Sequence, residues 1–348
     1  MNQMVRPPRR VVAERVTLAH GGGGKAMRDL IEDVFTSVFQ PPGMEDQARL
    51  SDPSLLEPGA QIAFTTDGFV VSPMEFPGGD IGTIAIYGSV NDLAVGGARP
   101  LWLAAAFIIE EGVEIAALRR IAAAMQSAAL QAGVRVVTGD TKVVGKGSGD
   151  GVFITTSGIG VIPPGRKLRA ETVQPGDIAI VSGVLGDHGA AILAARGDMA
   201  LSTDIKSDCQ PLNHLMEAVL AAAPGVRAAR DATRGGLASA LNEIADAARV
   251  GIEIVERDLP LRQEVMGVCE ILGLDPLYLA NEGTLVLFVP PEQAEAALGA
   301  MHSVPAGFGA KIIGKAVSAH AGTVVMKTVL GGARIVDMLV GEQLPRIC

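Results

Sequence analysis

Two series of alternating strand-like and helix-like segments, parted by the turn-rich stretch IPPGRKLRAETVQPGD, constrain this chain most. In the first series GKAMRDLIEDVFTSVF spaces Met27, Leu30, Ile31, Val34 and Val38 along one helical side. QIAFTTDGFVVS reads as a strand interrupted at Asp67-Gly68, and LWLAAAFII as a buried strand. DIGTIAIYGSVNDLAVGGA reads as a helix with the polar pair Asn91-Asp92 inside it, and VEIAALRRIAAAMQSAALQAG as a helix ending at Gly133. VRVVTGDTKVV and GVFITTSGIGVI are further strands. The second series runs DIAIVSG, GIEIVERD and GTLVLFVP as strands, with DHGAAILAARG, PLNHLMEAVLAAA and GGLASALNEIADAAR as helices.

At 348 residues the chain exceeds what one hydrophobic core usually fills, so two α/β (α+β) domains are expected. The boundary falls near residue 168. A Pro- and Arg-rich disordered lead (1–15) precedes a first domain (16–168), a second domain (169–330) and a flexible tail (331–348). Hydrophobic residues reach 48% but aromatics only 3%, so both cores must be built from Ala, Val, Ile and Leu. The net charge of −9, with no basic stripe, argues against a nucleic-acid or polybasic membrane surface. No apolar run approaches the roughly 20 residues of a membrane-spanning helix. The opening MNQMVRPPRR lacks the apolar core of a secretion signal. Cys209, Cys269 and Cys348 form neither a CxxC pair nor a metal-ligand spacing, which suits a reducing cytoplasm.

Four aspartates adjoin or interrupt apolar stretches: Asp67 in TTDGF, Asp80 in PGGDIG, Asp92 in VNDLA and Asp140 in TGDTK. Each is compatible with turn chemistry. Asp92 fits that least, because a lone carboxylate is costly to bury in an apolar helix. Taken together they suit hard cations bridging phosphate oxygens. AHGGGGK, His20 to Lys25, opens the first helix with backbone N–H groups that can receive an anion, although Ala26 excludes a P-loop. RDATRGGL places Asp231 and Thr233 where they either cap the next helix or face phosphate, with Gly235-Gly236 at its first turn. In LANEGTLVLF, Glu282 stands either in a simple turn or as a general base. The last twelve residues, Asp337 to Cys348, would span about 40 Å if extended at about 3.3–3.6 Å each. That reach allows the terminal thiol to visit a distant site.

The set TTDGFVVSP…FPGGDIG, GSVNDLAVGGA, TGDTKVV, RDATRGGL, ANEG and the terminal PRIC resembles the HypE family of hydrogenase maturation proteins. That family lies within the aminoimidazole-ribonucleotide-synthetase-like (PurM-like) ATP enzymes. The resemblance runs from about His20 to Cys348, and PRIC at the very end separates HypE from its relatives. HGGGG replaces a loop that has a serine among its glycines in the family, and MEF replaces a more apolar triplet.

The resemblance implies an N-terminal domain that pairs across a homodimer, a C-terminal α/β domain, and ATP with Mg²⁺ between them. It implies that the carbamoyltransferase HypF loads a carbamoyl group on Cys348. ATP-dependent dehydration then gives a thiocyanate, whose cyanide passes to iron held by HypC and HypD for [NiFe]-hydrogenase. By the same resemblance Glu282 is the base and Lys142 orients the carboxamide or neutralises charge. Asp67, Asp92 and Asp140 hold the metal, and Gly22, Gly23, Gly24, Asp80, Asn91, Thr141, Asp231, Thr233 and Gly235 hold the nucleotide. Selenophosphate synthetase, thiamine-monophosphate kinase and the purine-pathway synthetases are the rivals within the superfamily. A nucleotide-gated binding module is the rival outside enzymes.

Overall fold

A computed structural model describes residues 10–41, 47–197 and 203–339. The first domain opens with one helical run: α1 (Lys25–Leu30), a π-helical segment (Ile31–Thr36) and α2 (Ser37–Phe39). The π segment departs from the uniform helix expected there. Its wider turn brings Phe35 into the core, where its ring lies 4.5 Å from that of Phe107.

β1 (Gln61–Phe69), a short hairpin β2 (Glu75–Phe76) and β3 (Gly79–Asp80), α3 (Ile81–Val95), β4 (Arg99–Glu110), α4 (Ile115–Ala132), β5 (Arg135–Val144) and β6 (Val152–Ile162) follow. Four of these strands form a sheet in the order β1-β6-β4-β5, in which only β4 and β5 run parallel. β1 passes through Asp67-Gly68 without a break, because both pair in register with Thr156 and Thr155 of β6. The interruption expected from an Asp-Gly turn is therefore absent.

α4 is amphipathic, and Ile115, Leu118, Ile121 and Met125 bury its inner side; Gly133 ends it in the left-handed region at φ 71°. α3 is apolar nearly all round and buried on every side, between the sheet, α4 and the second domain. Two glycines permit this. A Cβ on Gly82 would fall 2.6 Å from the carbonyl oxygen of Ile121 in α4, and one on Gly88 would fall 2.8 Å from the Phe69 ring. The opposite face of the sheet carries Ile62 and Phe64, each 68% exposed, together with Ile108.

The second domain contains β7 (Ile178–Val181), α5 (Asp187–Arg196), α6 (Asn213–Ala222), β8 (Ala228–Asp231), α7 (Gly236–Ala248), β9 (Gly251–Val255), α8 (Gln263–Leu272), β10 (Leu285–Val289), α9 (Ala294–His302), β11 (Lys311–Val317), β12 (Val324–Lys327) and β13 (Ala333–Val336). They build a seven-stranded sheet in the order β13-β12-β9-β11-β7-β10-β8. α7 packs on one face, through Leu237, Leu241 and Ile244 against Val286 and Phe288. α6 and α9 cover the other face, through Leu215, Val219 and Met301 against Leu285 and Leu287. Covered on both sides, β10 reads as an unbroken apolar run because neither face meets water.

Two expected boundaries move. Val11 and Arg15 are tied to the first domain, through the Asp33 carboxylate and the Glu114 side chain, so residues 10–15 are not a loose lead. The stretch after residue 331, expected to be a tail, supplies β13, whose Val336 is fully buried. Residues 1–9 and Cys348 lie outside the described residues. Among the described residues no helix is long and apolar enough to cross a membrane.

The close contact at Gly88 yields a direct expectation. Gly88→Ala forces the new methyl into the Phe69 ring, costing about 1–3 kcal/mol of unfolding free energy by overpacking. Denaturant titration checks it, and an unchanged midpoint would show that β1 yields to the methyl freely.

Candidate active site

α3 carries the polar pair that joins the domains. The Asn91 side chain accepts from Leu212 N–H (2.8 Å) and donates to the carbonyls of Gln210 (3.2 Å) and Glu282 (3.4 Å). Asn91 thus serves as an interdomain latch, and its side-chain amide, which the resemblance places at the nucleotide, is engaged by these three bonds. The next residue, Asp92, turns toward β1 and accepts from the Thr65 hydroxyl at 2.8 Å.

Around Asp92 the two domains enclose a cleft lined by Asp67, Gly68, Phe69 and Gly88 from the first domain and by Asp231, Thr233, Arg234 and Glu282 from the second. Asp67 arrives on β1, Asp231 at the end of β8, and Glu282 on the turn before β10. Asp231 and Thr233 do not cap α7: its N-cap is Gly235, at φ 77°, with no side-chain hydrogen bond. A Cβ on Gly235 would fall 2.0 Å from the Ser239 hydroxyl, so the helix itself requires glycine there, whatever binds.

The charge in this cleft is mostly negative. Burial, then the nearby Asp92, pushes the Asp231 carboxyl up to about 7. Burial, then the negative charge of Asp67, also raises Asp92, although the Thr65 hydroxyl opposes it. Glu282, 3% exposed, is held well above the usual carboxylate range by burial and by Asp208, Asp231 and Asp67; Arg234 opposes the shift. Desolvation plus like charge is the physical pattern of a group tuned to move protons. Among the described residues no three His, Cys, Asp or Glu side chains gather closely enough to hold a metal ion by themselves.

The remaining expected site residues gather elsewhere. Asp140 and Lys142 project from β5 and pair with each other at 2.8 Å, which lowers the Asp140 carboxyl. Thr141 between them is buried, and its N–H donates to Asp140. The glycine loop rests on the same strand, because a Cβ on Gly21 would fall 2.8 Å from that of Val143. Beyond it, Gly23 (φ 75°) and Gly24 have no neighbour within 4 Å of a Cβ position, so their backbone is open to a ligand, and Gly22 is nearly as free. β5 and β1 are opposite edges of the four-stranded sheet. At about 4.8 Å per strand the two groups stand about 14 Å apart within one chain. Asp80, expected at the nucleotide, is the N-cap of α3 and accepts from Thr83 N–H at 2.8 Å.

Two residues of the site carried no assignment in the sequence. Arg234 lies within RDATRGGL, and a cation beside a phosphate-facing pair was the available signal. Asp208 lies in SDCQPL, a segment without periodicity, and only the folded chain brings it to Glu282.

Sequence profiles of the AIR synthase related proteins match the chain over both domains: the N-terminal domain at residues 44–162 and the C-terminal domain at 174–327. The carbamoyl dehydratase HypE of Rhodobacter capsulatus is 73% identical over 335 residues, covering 96% of this chain and 98% of its own. The chain belongs to the HypE family of carbamoyl dehydratases. HypE of Escherichia coli is 46% identical, over 96% of this chain and 99% of its own. A HypE crystal structure in complex with ATP superposes with a TM-score of 0.90 at 44% identity, over 95% of this chain and 99% of that one. HypE from a HypE–HypF complex superposes with a TM-score of 0.78 at 43% identity, over 91% of this chain and 100% of that one.

The raised Asp231 carboxyl has a signed consequence. The folded chain keeps on Asp231 a proton that the unfolded chain releases at its ordinary 3.8. Stability therefore falls as pH rises from about 4 to about 7 and stays lower above that. Asp231→Asn is expected to raise Tm at about pH 8 and to change it little at about pH 4. Equal shifts at both pH values, by calorimetry, would show that the charge is not the cause.

Proposed function

We propose that this chain dehydrates a carbamoyl group carried on its own Cys348 to a thiocyanate, using ATP, and so supplies cyanide for the iron of [NiFe]-hydrogenase. The observation that carries the proposal is the buried Glu282, kept strongly basic at a cleft that also presents Asp67, Asp92, Asp231, Thr233 and Arg234. It is supported by membership of the HypE family and by the ATP complex of a relative.

The carboxamide oxygen is a poor leaving group. Its attack on the γ-phosphorus of ATP expels ADP and converts that oxygen into a phosphate ester, leaving the nitrogen cationic so that its first proton is released to solvent. Glu282 then takes the remaining nitrogen proton as the C≡N bond forms and phosphate departs with the oxygen, so R–CO–NH₂ and ATP give R–CN, ADP, phosphate and a proton. Thr233 and Arg234 face the phosphates, and enclosure of the cleft keeps water from the activated ester.

The donor set is all oxygen and fits Mg²⁺. Asp67 and Asp92 would hold it beside phosphate oxygens and water. When bound, it neutralises charge on the transferred phosphoryl group.

Asp140, Lys142, Thr141 and the open backbone of Gly22 to Gly24 sit at the far sheet edge, while Ile62 and Phe64 leave the outer sheet face apolar. We assign both features to a homodimer, in which the β5 group of one copy meets the Asp67–Asp92 group of the other. HypF, seen with a relative in a complex, would load Cys348, and HypC–HypD would receive the cyanide, in the cytoplasm.

Intact-mass measurement tests the reaction. Carbamoylated chain is expected to lose one water only with ATP and Mg²⁺; an unchanged adduct would sink the proposal. Glu282→Gln should bind ATP and accumulate the carbamoylated form, and Cys348→Ala should fold but accept no carbamoyl group. Loading at Cys209 or Cys269 would contradict the assignment. For the dimer, Lys142→Ala and Asp67→Asn are each expected to be inactive. Mixed and allowed to exchange, they should recover about a quarter of the wild-type rate, as random pairing in a two-fold dimer dictates. No recovery in a sample shown to have exchanged would place both groups on one chain.

A further inference from the structure

The turn that bears Glu282 is tied down by hydrogen bonds, three of which trace to one residue that no part of the reaction above uses. That turn has no regular secondary structure. Asp208 accepts from Glu282 N–H through one carboxylate oxygen (2.9 Å), and from Gly283 N–H (3.0 Å) and the Thr284 hydroxyl (3.0 Å) through the other. Neighbouring residues take the remaining polar groups of the turn: Gln210 donates to the Gly283 carbonyl at 2.9 Å, and Asn91 to that of Glu282 at 3.4 Å. The fit leaves no slack, because a Cβ on Gly283 would fall 1.9 Å from the Asp208 carbonyl oxygen.

We propose that Asp208 is a positioning residue for the dehydration, fixing the backbone of Glu282 so that its carboxylate meets the carboxamide nitrogen in one orientation. The proposal rests on Glu282 being the base. In this assignment Asp208 acts through the turn, on which both its carboxylate oxygens are spent.

The chemistry explains why a carboxylate stands there. Three donors converge on one side chain, and only an ionised carboxylate accepts from all of them through two oxygens. An asparagine would turn an N–H₂ group toward at least one of these donors. A buried carboxylate is also an expensive tie, unneeded if the turn had only to be closed. Its second effect concerns the base itself. The negative charge of Asp208 follows burial as the largest influence raising Glu282, so the group that aims the base also strengthens it.

The test compares Asp208→Asn, Glu282→Gln and the double variant in ATP-dependent dehydration of the carbamoylated full-length chain. Asp208→Asn is expected to leave the KM for ATP unchanged and to lower kcat by about 100-fold, the scale of a misplacement of about 1 Å. Adding it to Glu282→Gln should cost nothing further, because the aimed group is already gone. Thr284→Val, which removes one donor and leaves the carboxylate, should lower kcat in the same direction by a smaller factor, and serves if Asp208→Asn does not fold. Wild-type kcat in both Asp208→Asn and Thr284→Val, or a full independent loss in the double variant, overturns the positioning role while leaving Glu282 as the base. Wild-type kcat in Glu282→Gln overturns the base assignment and this inference with it.

Discussion

The structure turns on the Asn91 side chain. It lies on a helix with almost no exposed face, and it closes three hydrogen bonds to backbone groups of the other domain. An amide can do this because it donates and accepts at once; a carboxylate or an alkyl group could not satisfy both sets of partners. From this latch follow the closeness of α3 to the turn at Glu282 and the existence of a cleft between Asp92 and that turn. The apolar surroundings make each polar pairing there matter more, since a lost partner leaves an unsatisfied buried group.

The cleft concentrates like charge where the fold would be more stable without it. Asp92, Asp231, Asp208 and Glu282 all have carboxyls raised chiefly by burial, with Arg234 as the nearby opposing cation for Glu282. Ordinary packing has no use for such an arrangement. The proposed phosphoryl transfer would have one, because the cation proposed to arrive with ATP would relieve the crowding as it binds. The helix glycines serve the same end: Gly88 lets Phe69 and Asp67 approach α3, and leaves the cleft wall without a side chain.

Much of the architecture was legible in the residues. The helices α3, α4 and α7 were read as such from the sequence, and an unbroken apolar run located β10. Asp92 stood out in the sequence because a lone carboxylate in an apolar helix is costly to bury. What failed had physical causes. Asp-Gly at 67–68 suggested a turn, yet strand pairing with β6 overrides that local preference. The resemblance placed Asn91 and Asp80 at the nucleotide; in the folded chain tertiary partners and a helix cap engage their side chains. Asp208 was invisible, since its role depends on contacts more than 70 residues away in sequence.

The outward face of the four-stranded sheet bears on how such a protein behaves in concentrated solution. Ile62 and Phe64 stand on β1, an edge strand whose outer side meets water in a single chain. An edge with free backbone groups and bulky apolar side chains invites strand addition from any unfolded neighbour. A newly made chain therefore carries a hazard that concentration makes worse, and the homodimer proposed above would be a remedy for it.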